Sequence, residues 1–317
     1  MMKTLLKMGL SLHKNPIKVV QSLKKGMKAL QEFEKGVEKL GKDLIEKLSK
    51  DEKVFVIITR TYGVVDKGLN MEIPKILKKM GYKVITLSHL PAHSMDISNE
   101  YPNMYWPFGQ HILSGAKIVR NSENLYAIYL TNHGCGPDGI ISHYFKEEMG
   151  DKPYLQIEVD EHSSSVGVVT RLEAFVESVK RYSHKEPKEK SKLENKELKK
   201  LLIPYLYPYS SLVSAYFKGK NIDVQELPKT SDESLSIGRS FSTSKEYLSN
   251  LCLLGDAFHS IENNIAEFGH FFVPQSEGAE TFGQYSQLLK TKLSSKEKNN
   301  FSVENPFIED MFSNSNY

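Results

Sequence analysis

A cysteine at the end of an apolar run is the residue best placed to do chemistry in this chain. Cys135 lies in the segment YLTNHGCGPD, where Gly136 and Pro137 end the apolar run 125–130 and start a turn. A thiol at the carboxyl end of an α/β strand faces the crevice in which such folds bind ligands. The sequence therefore predicts a functional thiol at position 135. The alternative is a buried cysteine that acts as a small hydrophobe.

A second polar group follows the apolar run 155–159. Asp160, Glu161 and His162 form the densest polar cluster in the chain. A carboxylate beside an imidazole is a candidate catalytic acid–base pair, or part of a hydrogen-bonded network that holds the Cys135 loop. The alternative interpretation is that these residues cap a helix and fix the loop, because Ser163, Ser164 and Ser165 are good capping residues.

A third group follows the first apolar run, 53–59. Arg60, Tyr62 and Asp66 lie directly after it, and the segment that ends at Asn70 is predicted to open a helix. Free backbone N–H groups at a helix start favour anions, so these residues are candidates for cofactor binding. The alternative is a structural turn in which a glycine relieves strain.

The elements that must position these groups alternate between strand and helix. Short runs rich in β-branched residues are separated by segments with helical periodicity, such as 70–80 and 105–120. This alternation predicts an α/β protein with two Rossmann-like, three-layer domains, parallel sheets and a preceding amphipathic helix. The predicted parts are a basic helical arm (1–50), an α/β domain with the Cys135 segment (51–179), a charged linker (180–200), a second α/β domain (201–293) and a disordered tail (294–317).

The amino-terminal arm has an unusual charge distribution. Its first thirty residues contain seven lysines and no Asp or Glu. From Leu23 to Leu48, apolar residues recur in steps of three or four, which is a continuous stripe on a helix. The stripe predicts a docking helix for a homo- or hetero-oligomer. A membrane-surface or nucleic-acid arm is the alternative, and nucleic acid is the less favoured because no aromatic interleaving or nucleic-acid motif accompanies the lysines.

Composition and missing motifs exclude several classes of protein. With two cysteines there is no disulfide framework, and no apolar stretch is long enough to span a membrane. Lys7 interrupts what would be the apolar part of a signal peptide, so a cytoplasmic protein is expected. Walker, G-x-G-x-x-G, G-x-S-x-G, C-x-x-C and H-E-x-x-H motifs are absent from the sequence, and the histidines have no metal-ligand spacing.

Several long motifs occur in an order that resembles a known family. They are RTYGVVDKGLNMEIP (60–74), NMYWPFGQHIL (103–113), YLTNHGCGPD (129–138), PYLQIEVDEHSSSVGVVTRLEAF (153–175), LPKTSDESLSIGRSFSTSKE (227–246) and FGQY (282–285). Together they resemble the iron–sulfur family related to 2-hydroxyacyl-CoA dehydratases and benzoyl-CoA reductases. The resemblance is most specific to the CoA-protein activase-related portion of that family.

The chain departs from the family at two of three cysteine positions. Members usually carry a cysteine directly after the pair that corresponds to Lys245 and Glu246, and another before F-G-Q-Y. Here those positions hold Tyr247 and Glu280. The remaining cysteine, Cys252, is predicted to pack in a core.

The resemblance implies a [4Fe–4S]-type cluster with Cys135 as a metal ligand, surrounded by the loops at Arg60, Asp160 and Lys245. Lys245 and Glu246 are therefore further candidates for cofactor binding. Because a cubane usually needs four thiolates, no cluster is expected in the isolated chain, and any cluster would be shared with a partner. The chain is therefore predicted to be an accessory or cluster-deficient subunit of an acyl-CoA dehydratase activase-related system. The alternatives are an active electron-transfer subunit whose partner supplies ligands, and a non-enzymatic interaction module in which Cys135 is a redox thiol. A CoA thioester or an activase is the partner that the resemblance implies.

Overall fold

The first sheet is made from short runs of β-branched and aromatic residues. The computed structural model describes residues 2–12, 15–184, 200–242, 246–276, 278 and 280–308. Four parallel strands form this sheet, namely β1 (Val54–Ile58), β2 (Lys83–Thr86), β3 (Leu125–Asn132) and β4 (Leu155–Val159). Every residue of β1 is buried, as expected for a central strand covered on both faces.

The strand order of this sheet is β2-β1-β3-β4. The chain builds outward from β1 to one side and then returns to place β3 on the other side. The carboxyl ends of β1 and β3 therefore flank the point at which the strand order reverses. In open α/β sheets this is the place where ligands bind.

Helices cover both faces of the first sheet. They are α3 (Thr61–Val65), α4 (Ile73–Lys79), α5 (Pro107–Asn121), α6 (Gly136–Met149) and α7 (Ser165–Arg181). Alternate residues of β1 enter two separate hydrophobic clusters, since Val54 and Val56 belong to one while Phe55 and Ile57 belong to the other. This division confirms the predicted three-layer arrangement for the first sheet.

The second sheet repeats the same arrangement. Its parallel strands are β5 (Leu201–Ile203), β6 (Val224–Glu226), β7 (Gly269–Phe272) and β8 (Phe301–Glu304), in the order β6-β5-β7-β8. Helices α8 (Tyr209–Gly219), α9 (Asp232–Phe241), α10 (Leu248–Glu262) and α11 (Tyr285–Ser295) accompany it. The predicted α/β class with two parallel sheets is confirmed.

The two halves share one hydrophobic cluster. It contains Tyr144 and Phe145 of α6 together with Leu254 of α10 and Tyr285 of α11. The Tyr144 hydroxyl donates to the carbonyl oxygen of Gln284 across this boundary. Helices of both halves are therefore held against each other by apolar packing and by this hydrogen bond.

Two helices form the amino-terminal arm, α1 (Met2–Leu12) and α2 (Pro16–Ile45). The Asn15 side chain caps α2 by accepting from the backbone N–H groups of Ile17 and Lys18. The carboxyl end of α2 packs on the first half, where a Cβ added at Gly41 would lie 2.0 Å from the His89 carbonyl oxygen. Only glycine permits this approach.

The structure corrects two predictions about local structure. The predicted tail begins at 294, yet β8 pairs with β7 and closes the second sheet, so residues 294–308 are not a disordered tail; 309–317 lie outside the described residues. The helix predicted to open before Asn70 begins instead at Ile73.

Of the predicted linker 180–200, residues 185–199 lie outside the described part. No helix in the described ranges is long and apolar enough to cross a membrane.

Candidate functional site

Cys135 sits at the reversal point of the first sheet. It follows β3 and is the residue directly before α6, with its own N–H 3.4 Å from the Asn132 carbonyl oxygen. Its side chain is partly exposed. Arg60 lies two residues after the end of β1, directly before α3. Its guanidinium donates from Nη2 to the Cys135 sulfur at 3.0 Å. The parallel pairing of β1 with β3 thus joins two predicted site residues that are 75 positions apart.

Arg60 is held by a second partner and by an aromatic ring. Its Nη2 also donates to Asp138 Oδ1 at 2.8 Å, and its guanidinium carbon lies 4.1 Å from the centre of the Phe108 ring. Burial alone would lower the pKa of Arg60, but the hydrogen bond and the charge of Asp138 outweigh it and raise that pKa. Arg60 is therefore a permanent cation beside the thiol. Such a neighbour is typical of reactive cysteines.

Asp138 is the hub that fixes these groups. Its carboxylate is nearly fully buried and accepts from the Asn132 backbone N–H at 2.8 Å and from Asn132 Nδ2 at 3.2 Å, besides Arg60. Asn132 Nδ2 also donates to the Tyr62 hydroxyl at 3.1 Å. The structure therefore brings together the predicted residues Arg60, Tyr62 and Cys135 around a carboxylate.

Tyr247 lies against the start of α6. Three atoms at the tip of its ring would be 3.0–3.1 Å from a Cβ added at Gly136, the residue after Cys135. Tyr247 also directly precedes α10. Tyr247, which the sequence analysis compares with a cysteine position of the resembled family, therefore places its phenol ring against the residue that follows Cys135.

The predicted residue Glu246 anchors the segment before α10. Its buried carboxylate is hydrogen-bonded to Nε2 of the buried His143 on α6, and Nδ1 of that histidine lies 3.1 Å from Lys292 Nζ on α11. Burial lowers the pKa of Lys292. This chain of three polar groups links α6 to the second half and positions the neighbouring Tyr247.

Two of the segments that carry the family resemblance, 103–113 and 282–285, are hydrogen-bonded to each other at the same boundary. Asn103 donates through Nδ2 to Gln275 and, at 3.0 Å, to the Gly283 carbonyl oxygen, while Gln284 donates back to the Asn103 carbonyl oxygen. Asn103 is 3% exposed and Gln284 is 2% exposed, so these bonds are shielded from water. They therefore fix how the two halves meet.

The predicted acid–base residues Asp160, Glu161 and His162 lie in the turn after β4. Asp160 accepts from the His162 backbone N–H at 3.0 Å and from the Ser163 hydroxyl at 2.8 Å, and the Ser163 hydrogen bond lowers the pKa of Asp160. Glu161 and His162 are exposed, and their side chains are 3.6 Å apart. This is the turn-fixing alternative. The contact from β4 to the Cys135 loop comes instead from Glu158, whose Oε1 lies 2.5 Å from His133 Nδ1.

Asp66 and Asn70 shape a turn. Asp66 accepts from the backbone N–H groups of Gly68 and Leu69 at 2.8 and 2.9 Å, and Asn70 donates to the Val64 carbonyl oxygen at 2.9 Å. The amides that were predicted to bind an anion are therefore occupied by Asp66. The predicted helix start at 67–70 is wrong, because the helix that follows this turn begins at Ile73.

The remaining predicted residues are spread over the second half. Lys245 lies outside the described residues. Glu280 is exposed and precedes the short 3-10 helix Thr281–Gln284. Cys252 lies on α10 and is partly exposed, where burial and then the charge of Asp256 raise the pKa of its thiol.

Sequence reasoning missed several residues of this site. Asp138 belongs to the segment that drew attention to Cys135, so its closeness in sequence could have indicated its role. Asn132 lies in the same segment. Phe108, His143 and Lys292 gave no local signal. Their partners lie far away in sequence, as in the separation of 103 positions between His143 and Glu246.

The donor set does not fit a cubane held by one chain. Cys135 is the single thiol at the site, and its sulfur already accepts a hydrogen bond from Arg60. The Tyr247 ring occupies the space beside Gly136. In the described ranges, no three His, Cys, Asp or Glu side chains are grouped so that they could hold a metal ion. Phenol and carboxylate oxygens are also harder ligands than the thiolates that hold iron–sulfur clusters.

Comparison with known proteins gives one similarity. Residues 1–90 match a protein-family model described as the CoA enzyme activase uncharacterised domain (DUF2229). This stretch contains the helical arm, β1 and β2, together with Arg60 and Tyr62. It supports an activase-related protein. Searches of curated proteins and of solved structures found no match to the chain.

Proposed function

We propose that this chain is an accessory, cluster-deficient protein derived from the iron–sulfur electron-transfer or dehydratase component of acyl-CoA dehydratase systems. The match of residues 1–90 supports the activase-related part of this proposal. The finer part rests on the motifs around Cys135 and on the two replaced cysteine positions. In this account the fold has kept the geometry of the site and lost its capacity to hold a cluster alone.

One observation carries the proposal. The Tyr247 ring packs on Gly136, the residue after Cys135. Position 247, where the resembled family usually has a cysteine, is therefore close to Cys135 but offers a phenol instead of a thiolate ligand. The same sulfur accepts from Arg60 at 3.0 Å, which gives the remaining thiol a stable partner without a metal. Both features favour a site that persists in a protein without a cluster.

A partner is part of the proposal. The exposed apolar side chains of α2 supply a surface for an oligomer, since Leu30, Phe33 and Leu40 are 57%, 68% and 64% exposed. A long uncovered apolar stripe is typical of a surface that another molecule covers. The assembled complex would then bind a CoA thioester or an activase.

Restoring the two cysteines tests the proposal. The double variant Tyr247→Cys/Glu280→Cys, purified anaerobically, is expected to bind more iron and sulfide than the unmodified chain. The matched control Tyr247→Phe/Glu280→Gln removes the phenol hydroxyl and the carboxylate charge without adding thiols and is expected to stay free of iron. Equal iron in the two double variants would contradict the assignment of these positions.

Co-expression with neighbouring gene products separates the first alternative. If the chain is an electron-transfer subunit whose partner supplies ligands, iron should appear only in the complex, and Cys135→Ser should abolish it. Iron that survives Cys135→Ser in the complex would show that Cys135 ligates nothing.

A redox thiol is the second candidate function, and the Arg60 contact favours it. A guanidinium that donates to sulfur promotes nucleophilic reactivity. We expect Arg60→Met to slow alkylation of native Cys135 by iodoacetamide severalfold at neutral pH, while Lys117→Met, at an ion pair with Glu100, leaves the rate unchanged. Equal rates in the two variants would remove support for this candidate.

A further inference from the structure

The middle of α2 presents a bare apolar face. The shorter helix α1 packs on the first part of α2, where a Cβ added at Gly9 would lie 2.3 Å from Val19 Cγ1. The carboxyl end of α2 packs on the first half of the body from Gly41 onward. Between these contacts lie residues 27–40, about 20 Å of helix at 1.5 Å per residue. Four apolar side chains in this segment are exposed by 42–68%, namely Met27, Leu30, Phe33 and Leu40.

The spacing of this face is that of a coiled coil. Leu30, Phe33, Val37 and Leu40 follow one another in steps of three, four and three residues, and the next residue in this spacing, Leu44, packs on the core of the body. Such a repeat keeps one narrow stripe directed at a neighbouring helix. The face therefore suits a helix rather than a flat surface.

Charges along α2 indicate the direction of that neighbour. The outer part of the helix carries Lys18, Lys24, Lys25 and Lys28, and no acidic residue precedes Glu32. The part nearer the body carries five acidic residues and three lysines between positions 32 and 46. Two parallel copies would place like charges side by side, whereas two antiparallel copies place the lysine-rich part of each beside the acid-rich part of the other.

We propose that α2 pairs with α2 of a second copy of this chain, antiparallel and about a two-fold axis between Leu30 and Phe33. Leu30 of one copy then packs against Phe33 of the other, and Leu40 meets Leu23. The pairing is self-complementary, as a two-fold interface must be. This inference rests on the oligomer surface of the proposed function and names its occupant.

Oligomeric state tests the pairing in the full chain. Sedimentation equilibrium is expected to give a dimer for the unmodified protein and a monomer for Phe33→Glu/Leu40→Glu. The matched control Leu212→Glu changes a side chain on α8 that is 66% exposed and should remain dimeric. Circular dichroism of each variant verifies that the fold is kept. Raising the salt concentration to about 0.5 M should weaken the dimer, because the paired charges are screened.

Cysteine cross-linking tests the direction. In a Cys135→Ser/Cys252→Ser background, an antiparallel pair places the two Ala29 positions about 8 Å apart along the axis and the two Ser22 positions about 28 Å apart. A short bismaleimide should therefore link Ala29→Cys and not Ser22→Cys. Efficient linkage at both positions would show parallel pairing and overturn the proposed orientation.

Other occupants give different results. A monomeric unmodified chain overturns the proposal, whether it binds anionic phosphatidylserine vesicles, an RNA oligonucleotide or a different protein through α2. Because this outcome leaves the iron measurements untouched, failure of the pairing is distinct from failure of the cluster-deficient assignment.

Discussion

Removing the Arg60 guanidinium should destabilise the fold through Asp138. Arg60→Met keeps an unbranched side chain over the Phe108 ring but leaves the Asp138 carboxylate, whose side chain is 3% exposed, without its cation. Breaking a buried ion pair costs about 3–5 kcal/mol when one charge stays buried. The two donors from Asn132 remain and offset part of this cost. The expected loss is therefore about 2–3 kcal/mol of unfolding free energy.

Urea denaturation at neutral pH measures this loss as a lower midpoint with an unchanged slope. Lys117→Met serves as the control, because its partner Glu100 is 38% exposed and such a pair contributes at most about 1 kcal/mol. The double variant Arg60→Met/Asp138→Asn should recover part of the stability, since it no longer buries an unpaired charge. If Arg60→Met costs no more than Lys117→Met, the account of Asp138 as the hub of the site is wrong.

Three further predictions concern the packing that surrounds the site. Burial lowers the pKa of His111 to about 4 from an ordinary 6.5, so the fold favours the neutral ring and stability should fall as pH drops from about 6.5 to 4. His111→Leu should remove about 1–2 kcal/mol of that fall in pH-dependent urea melts, after allowance for partial exposure; an unchanged pH dependence would contradict this. Gly255→Ala should be strongly destabilising, because its Cβ would lie 2.1 Å from the Ser234 carbonyl oxygen, whereas Gly26→Ala, with open space, should stabilise α2; thermal melts in the reverse order would refute the helix contact. Gln284→Leu should cost about 1–3 kcal/mol by leaving a buried carbonyl unpaired, and unaltered urea midpoints would show that this hydrogen bond does not hold the halves together.

Local pattern was sufficient to predict most of the fold. The run that forms β1 is rich in β-branched residues, and the run that forms β3 is rich in aromatic and aliphatic residues. Both runs are bounded by polar turns, so their buried, parallel placement follows from composition and alternation. The strand β8 escaped prediction because its four residues, FSVE, are flanked by Asn and Lys, and their order comes from pairing with β7. Tertiary context decided that element.

The site was predictable only in part, for a similar reason. Cys135 and Arg60 each lie just after a strand, and a parallel sheet places both at the same edge, as predicted. That β1 and β3 are neighbours in this sheet, which brings the two side chains into contact, comes from the structure. The pairing of His143 with Glu246 depends on how two separate α/β halves dock, which no local periodicity encodes. The Asp160 side chain is hydrogen-bonded within its own turn, because adjacent polar residues in a turn satisfy one another.

Iron and acid-labile sulfide in the unmodified chain test the central claim most directly. The chain, expressed alone and purified anaerobically, contributes one thiol at the Cys135 site, and that thiol accepts a hydrogen bond from Arg60. The account predicts far less than one cluster per chain, before and after an attempt at chemical reconstitution, in a protein that remains folded. Stoichiometric iron and sulfide in this chain alone, lost in Cys135→Ser, would contradict it and identify the protein as an electron carrier.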